Sequence, residues 1–202
     1  MPPKAKFTRE QIIQAAVDVT REQGISALTA REVGKRLGTS STPVFVAFEN
    51  MDDLKQEVFN EVEKQYSKYI DEGLNYTPMF KAFGVRMIEY ARKYPNLFKV
   101  LFMNSDESNT NYSDMILNFP CADICLKAIK EQTQLNDNEV ELLFKQVLIT
   151  GMGICYLVSS KTCEFTDEQL DEYLGLAYVG ALTAIKNIDK SKYTVHPTRK
   201  DF

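Results

Sequence analysis

The chain has a single histidine, His196, close to its C-terminal end. One imidazole in a polar tail leaves no central general base, and there is no glycine-rich phosphate loop and no nucleophile elbow. These absences argue against an enzyme, and no catalytic residue is assigned. The four cysteines, Cys121, Cys125, Cys155 and Cys163, all lie in the second half and form no Cys-x-x-Cys. They read as reduced, small hydrophobic residues rather than a disulfide framework or a metal site. A thiol sensor at Cys121 and Cys125, four residues apart, stays open. No apolar run approaches the length needed to cross a bilayer, and MPPKAKF passes into an amphipathic pattern without a signal-peptide core. The expectation is a cytoplasmic protein that needs neither membrane, metal nor cofactor. There is no internal repeat.

Charge is unevenly spread along the chain. The net value is -4, yet residues 1–50 carry seven basic side chains (Lys4, Lys6, Arg9, Arg21, Arg31, Lys35, Arg36) against five acids, leaving the remainder at -6. A mildly basic module joined to an acidic body is compatible with a polyanion touching one end only.

Apolar residues recur at helical spacing almost throughout, and no segment alternates as a strand would. Ile12, Ile13, Ala16, Val17 and Val19 predict a helix over 8–23, stopped by Gly24. Thr29-x-x-Glu32 is a capping box that opens a short helix to Leu37, ended by Gly38. A turn follows, and a third short helix carries Val44 and Phe48 inward with Pro43 in its first turn. Asn50 opens a helix to about 71, Thr77-Pro78 one over 78–93, and Pro95 one to Met103. Residues 104–114 are polar and read as a loop. Further helices are expected over 114–133, broken near Pro120, then from Asn136 to about 160, and from the Thr166-x-x-Gln169 box to about 188. The chain therefore reads as all-α, with about nine helices in three parts: a three-helix head over 1–50, a helical body over 51–188 and a polar tail over 189–202.

Two short helices joined by a tight turn at Gly38 fit a helix-turn-helix, in which the first helix braces the second against base edges in the major groove. Any small helical bundle contains such pairs, so the pattern alone does not decide. The side chains off the Val44 and Phe48 face, Ser41, Thr42, Pro43, Val46 and Ala47, are small or uncharged. None can make the bidentate contact to guanine that Arg31 can make from the bracing helix.

Residues 7–54, about a quarter of the chain, resemble the DNA-binding domain of the TetR family of regulators. The resemblance lies in the order of a helix of about fifteen residues, Gly24, Leu28-Thr29, Val33, Leu37-Gly38, an aromatic at 45, Phe48, Asn50 and Leu54. It implies a helix-turn-helix head on a helical ligand-sensing and dimerisation body, acting as a repressor on a palindromic double-stranded operator. By position it places Ser41, Thr42 and Pro43 at bases and Arg31 at a base or phosphate. Thr29, Lys35 and Phe45 fall near the backbone. Two departures remove phosphate contacts: Phe45 stands where tyrosine is usual, and Met51 where lysine is usual after Asn50. Arg31, Lys35, Arg36 and the basic arm Lys4, Lys6 and Arg9 are left to supply them, although the arm can equally be a solubilising terminus.

The resemblance also implies that helices 137–160 and 167–188 pair with those of a second chain, and that a cavity lies between head and bundle. The aromatic and methionine residues Phe80, Phe83, Met87, Tyr90, Phe98, Phe102, Met103, Phe119 and Phe144 are candidates to line it, which favours an apolar effector. The alternative is an architectural or protein-partner module with no small-molecule effector.

Overall fold

The structure, a computed structural model, describes residues 7–72, 79–103 and 119–187, with backbone alone at 79 and 80. Lys4, Lys6, the Thr77-Pro78 cap, the expected loop over 104–114, the start of the 114–133 helix and the tail lie outside these residues, as does the side chain of Phe80. Among the described residues there is no strand. The described residues form nine α-helices in order: α1 Arg9–Gln23, α2 Ala30–Arg36, α3 Thr42–Ala47, α4 Met51–Asp71, α5 Met79–Lys93, α6 Pro95–Phe102, α7 Ala122–Thr133, α8 Asp137–Ser159 and α9 Asp167–Asn187.

Side-chain caps set most of the starts. Thr8 and Gln11 close a reciprocal capping box on α1, as do Asn136 and Glu139 on α8. Thr166 Oγ1 accepts from the Gln169 amide while Gln169 Oε1 accepts from the Thr166 amide, so the predicted third box is present at α9. At α2 the Thr29 hydroxyl accepts from the Glu32 amide, and at α4 the Asn50 side chain accepts from the amides of Asp52 and Asp53. The break expected near Pro120 is present just before α7. Pro120 has no amide proton to donate, and Cys121 sits in the left-handed region at φ 66°, so the chain turns before Ala122.

Helices α1 to α3 form the head. Helix α4 runs from it into the body, where α5, α6, α7, α8 and α9 pack together. One core runs through both parts, from Ile12, Val33, Val44 and Leu54 to Tyr66, Phe98, Leu143 and Cys155. The expectation of no membrane-length apolar segment needs a correction: α8, at 23 residues, is long and apolar enough to cross a bilayer by length and composition. Its apolar residues occupy more than one side. Leu143, Phe144, Val147, Leu148 and Ile154 are buried within the chain, while Leu142, Ile149 and Tyr156 point outward.

Candidate functional site

In the head, α2 and α3 are held by a turn that depends on two glycines. Gly38 takes φ 68°, which a glycine adopts without strain, and its amide donates to Lys35 O at 3.1 Å. The Thr39 amide donates to Gly34 O at 2.8 Å. Gly34 lies inside α2 where the turn folds back on it. A Cβ there would stand 2.7 Å from the carbonyl carbon of Ser40 and 3.0 Å from the Ser41 nitrogen, and closer still to the Ser40 oxygen. The sequence reading missed this residue. Its signal was available as an isolated glycine in a helical pattern, which marks a close backbone approach when it is not a cap.

Helix α3 anchors through Val44, 1% exposed, and turns the rest of its surface outward: Phe45 is 58% exposed, Val46 73%, and Thr42 is exposed as well. Pro43 and Ser41 are half-buried beside them. The Thr42 hydroxyl accepts from Ser40 Oγ at 3.1 Å. Arg31 is exposed on α2, and Lys35, close to full exposure, reaches Glu32 at 3.6 Å. Among the described residues, the head's other basic side chains are occupied internally. Arg9 bonds Glu57 at 2.8 Å, Asp53 at 3.3 Å and the Ala47 carbonyl at 2.7 Å, with its guanidinium 4.1 Å from the centre of the Phe48 ring. The hydrogen bond that Arg9 donates to Glu57 is the main cause that raises the Arg9 guanidinium above its ordinary pKa. Arg9 therefore ties α1 to the end of α3 and the start of α4. Arg36 pairs with Glu22 of α1, and that hydrogen bond holds the Glu22 carboxyl below its usual range. Among the described residues this leaves Arg31 and Lys35 as the head's outward cations near α3.

Two further bonds join the head to α4 and α6. Arg21 Nη2 donates to Gln65 on α4 at 3.3 Å, and Asn96 Nδ2 on α6 donates to the Arg21 carbonyl at 3.0 Å.

In the body a cavity of about 190 Å³ opens between α5, α7, α8 and α9. Phe83, Met87, Phe144, Val147, Leu148, Gly151 and Leu174 make it apolar, and its polar groups are Lys81, Gln132 and Tyr178. Lys81 pairs with Asp171 at 3.0 Å. Of the sequence candidates, Phe83, Met87 and Phe144 line this cavity. Tyr90, Phe98, Phe102 and Phe119 pack beside it instead, in an aromatic cluster around Tyr66. Tyr66 meets Tyr90 edge-on at 5.0 Å and Phe102 at 5.3 Å, Phe102 stacks on Phe119 at 4.9 Å, and Phe119 reaches Phe83 at 6.3 Å. Phe102 and Met103 are half-buried against the core. The hydroxyls of Tyr66 and Tyr90 have no hydrogen-bond partner among the described residues.

The thiols sit in low-polarity surroundings. Burial raises Cys121 to about 11 and pushes Cys125 and Cys155 up further, while Cys163 is exposed. Among the described residues no group of histidine, cysteine or acid side chains is arranged to hold a metal ion. On the far side of α8 and α9 from the cavity, Leu142, Ile149 and Tyr156 form one exposed apolar row and Tyr173, Leu176 and Val179 another. A Cβ added at Gly153, between Ile149 and Tyr156, or at Gly180, next to Val179, would meet no atom within 4 Å.

Residues 12–58 match the family described as bacterial regulatory proteins, tetR family. No curated protein matches the chain. Among solved structures, a transcriptional regulator from Rhodococcus sp. Rha1 is similar, with 17% sequence identity and a TM-score of 0.59 over 88% of this chain and 97% of that one. At that identity the likeness is one of fold. The fold likeness covers the helical body as well as the head. The helix-turn-helix geometry of α2 and α3 falls inside residues 12–58, the stretch that matches the tetR-family model, so this head is similar to the DNA-binding domain of bacterial regulators of that family.

Proposed function

We propose that the protein is a ligand-responsive repressor that binds a palindromic operator as a homodimer in the cytoplasm. Residues 1–50 contact DNA and residues 51–188 sense and pair. The observation that carries this reading is that α9 serves two faces at once. Leu174 and Tyr178 border the cavity, while Tyr173, Leu176 and Val179 of the same helix stand exposed with no cover in one chain. An exposed apolar face built on two long helices favours a self-complementary partner. Two heads held by that pairing must stand about 34–36 Å apart to enter successive major grooves. A molecule that widens the cavity shifts α9 against α5, and hence the heads carried on α4.

The apolar lining favours an apolar effector. It releases DNA only if it binds the released form better, and a coupling of about 1–3 kcal/mol weakens operator binding roughly 5- to 150-fold. In this reading Ser41, Thr42 and Pro43 face bases with Arg31, while Thr29, Lys35, Phe45, Lys4 and Lys6 lie along the backbone.

Footprinting on the protein's own promoter region should reveal a two-fold symmetric site. Sedimentation at micromolar concentration should give about twice the chain mass. Apolar compounds that raise the melting temperature should also lift the footprint. A clean monomer overturns the dimer. Failure of every cavity-binding compound to release DNA puts the architectural or protein-partner reading ahead.

A further inference from the structure

The chemistry of α3 constrains what sequence the head can read, and this inference rests on the DNA-binding role just proposed. We propose that Val46, with Thr42 beside it, reads the operator through the 5-methyl groups of thymines, and that direct guanine readout is confined to Arg31. At about 3.6 residues per turn, Thr42 and Val46 lie one above the other on the face opposite buried Val44, with Phe45 to one side. That face is what α3 offers to a major groove. From Thr39 to Phe48 the sequence is TSSTPVFVAF, without one Arg, Lys, Asn, Gln, Asp or Glu. The bidentate partners of guanine and adenine and the carboxylate acceptors for cytosine are therefore all missing from the helix that enters the groove. Hydroxyls and apolar carbon remain. Hydroxyls accept or donate to several bases and discriminate little, whereas an isopropyl group at 73% exposure has one complement in the groove, the thymine methyl.

Charge supports the same conclusion. Arg9 and Arg36 are bound inside the head, and Lys35 leans on Glu32, so Arg31 is the one exposed guanidinium near α3 among the described residues that makes no ion pair.

Replacing thymine by deoxyuridine deletes that methyl and leaves the Watson–Crick pair and the O4 acceptor in place, so the test is an atomic deletion on the DNA. An operator is first selected from random duplexes with the full-length protein. Each thymine is then replaced singly by deoxyuridine and binding is measured at fixed salt. One or two positions per half-site should lose about three- to fivefold in affinity, the worth of one buried methyl or methylene. With Val46→Ala the parent operator should bind more weakly and the deoxyuridine penalty should vanish. Val46 is too exposed for that variant to unfold the head, which circular dichroism checks. Arg31→Ala should abolish any guanine preference. A selected operator that tolerates deoxyuridine everywhere, or whose guanine preferences survive Arg31→Ala, overturns the inference and leaves the regulator reading standing. Selection that yields no preferred sequence at all overturns both.

Discussion

Replacing Gly34 with alanine tests whether the turn geometry holds the recognition helix in place. The new methyl would lie 2.7 Å from the Ser40 carbonyl carbon and 3.0 Å from the Ser41 nitrogen. These are backbone atoms, which no rotamer change can move aside. Relief requires the turn to lift off α2, stretching the Thr39 to Gly34 hydrogen bond of 2.8 Å. Overpacking of this kind costs about 1–3 kcal/mol. Alanine's better helix propensity returns about 1 kcal/mol. With rigid backbone on one side the clash should sit near the top of its range, so the variant should be less stable by about 1–2 kcal/mol. For a chain of this size that is a melting temperature lower by roughly 2–8 °C. Operator binding should fall further than stability does, because α3 moves with the turn. Gly38→Ala provides the contrast. Its left-handed φ of 68° costs about 1–2 kcal/mol, but no atom lies within 4 Å, so α3 should stay in register and the folded variant should still bind. If Gly34→Ala melts at or above the parent and binds DNA normally, the close approach does not hold the motif as described.

Three other outcomes are expected. Leu176→Glu, at 69% exposure on the uncovered face of α9, should sediment as a monomer with its helical signal intact and lose operator affinity; an unchanged dimer would move the interface elsewhere. Tyr66→Phe removes a buried hydroxyl that lacks a partner among the described residues, so its stability by denaturant titration should be unchanged or higher by up to about 1 kcal/mol, and a clear loss would mean the hydroxyl is bonded. A thiol reagent at neutral pH should titrate Cys163 rapidly and the others only on unfolding. Because burial raises the folded-state pKa of Cys121 to about 11, the folded form holds that proton more tightly; this contribution to stability is intact below about pH 8.5 and is lost as pH climbs towards 11. Rapid reaction of all four native thiols would reopen a redox role.

The head was legible because its signals are local. Caps at Thr29 and Asn50, the stop at Gly38 and the inward pair Val44 and Phe48 each depend on a few neighbouring residues, and the structure has them within one or two positions of expectation. The destinations of Arg9 and Arg36 were not legible. Their partners Glu57 and Glu22 lie at distances along the chain that no helical period indicates, so two residues counted towards DNA turn out to brace the head. The body shows the same limit. Spacing marks Tyr90, Phe98 and Phe102 as inward, but inward includes both cavity wall and solid core. Only the crossing of α5, α8 and α9 separates Phe83 from Tyr90.

The bonds from Arg21 to Gln65 and from Asn96 to the Arg21 carbonyl give the end of α1 two supports, one on α4 and one on α6. A body fastened at one point hinges about it, whereas one fastened to two neighbouring struts moves as a linkage. The head is thus barred from bending freely on α4. Any shift of α6 relative to α4 would therefore strain the end of α1 through both bonds rather than one. Asn96→Ala would remove the support from α6 alone, leaving α1 tied to α4 through Arg9 and Arg21.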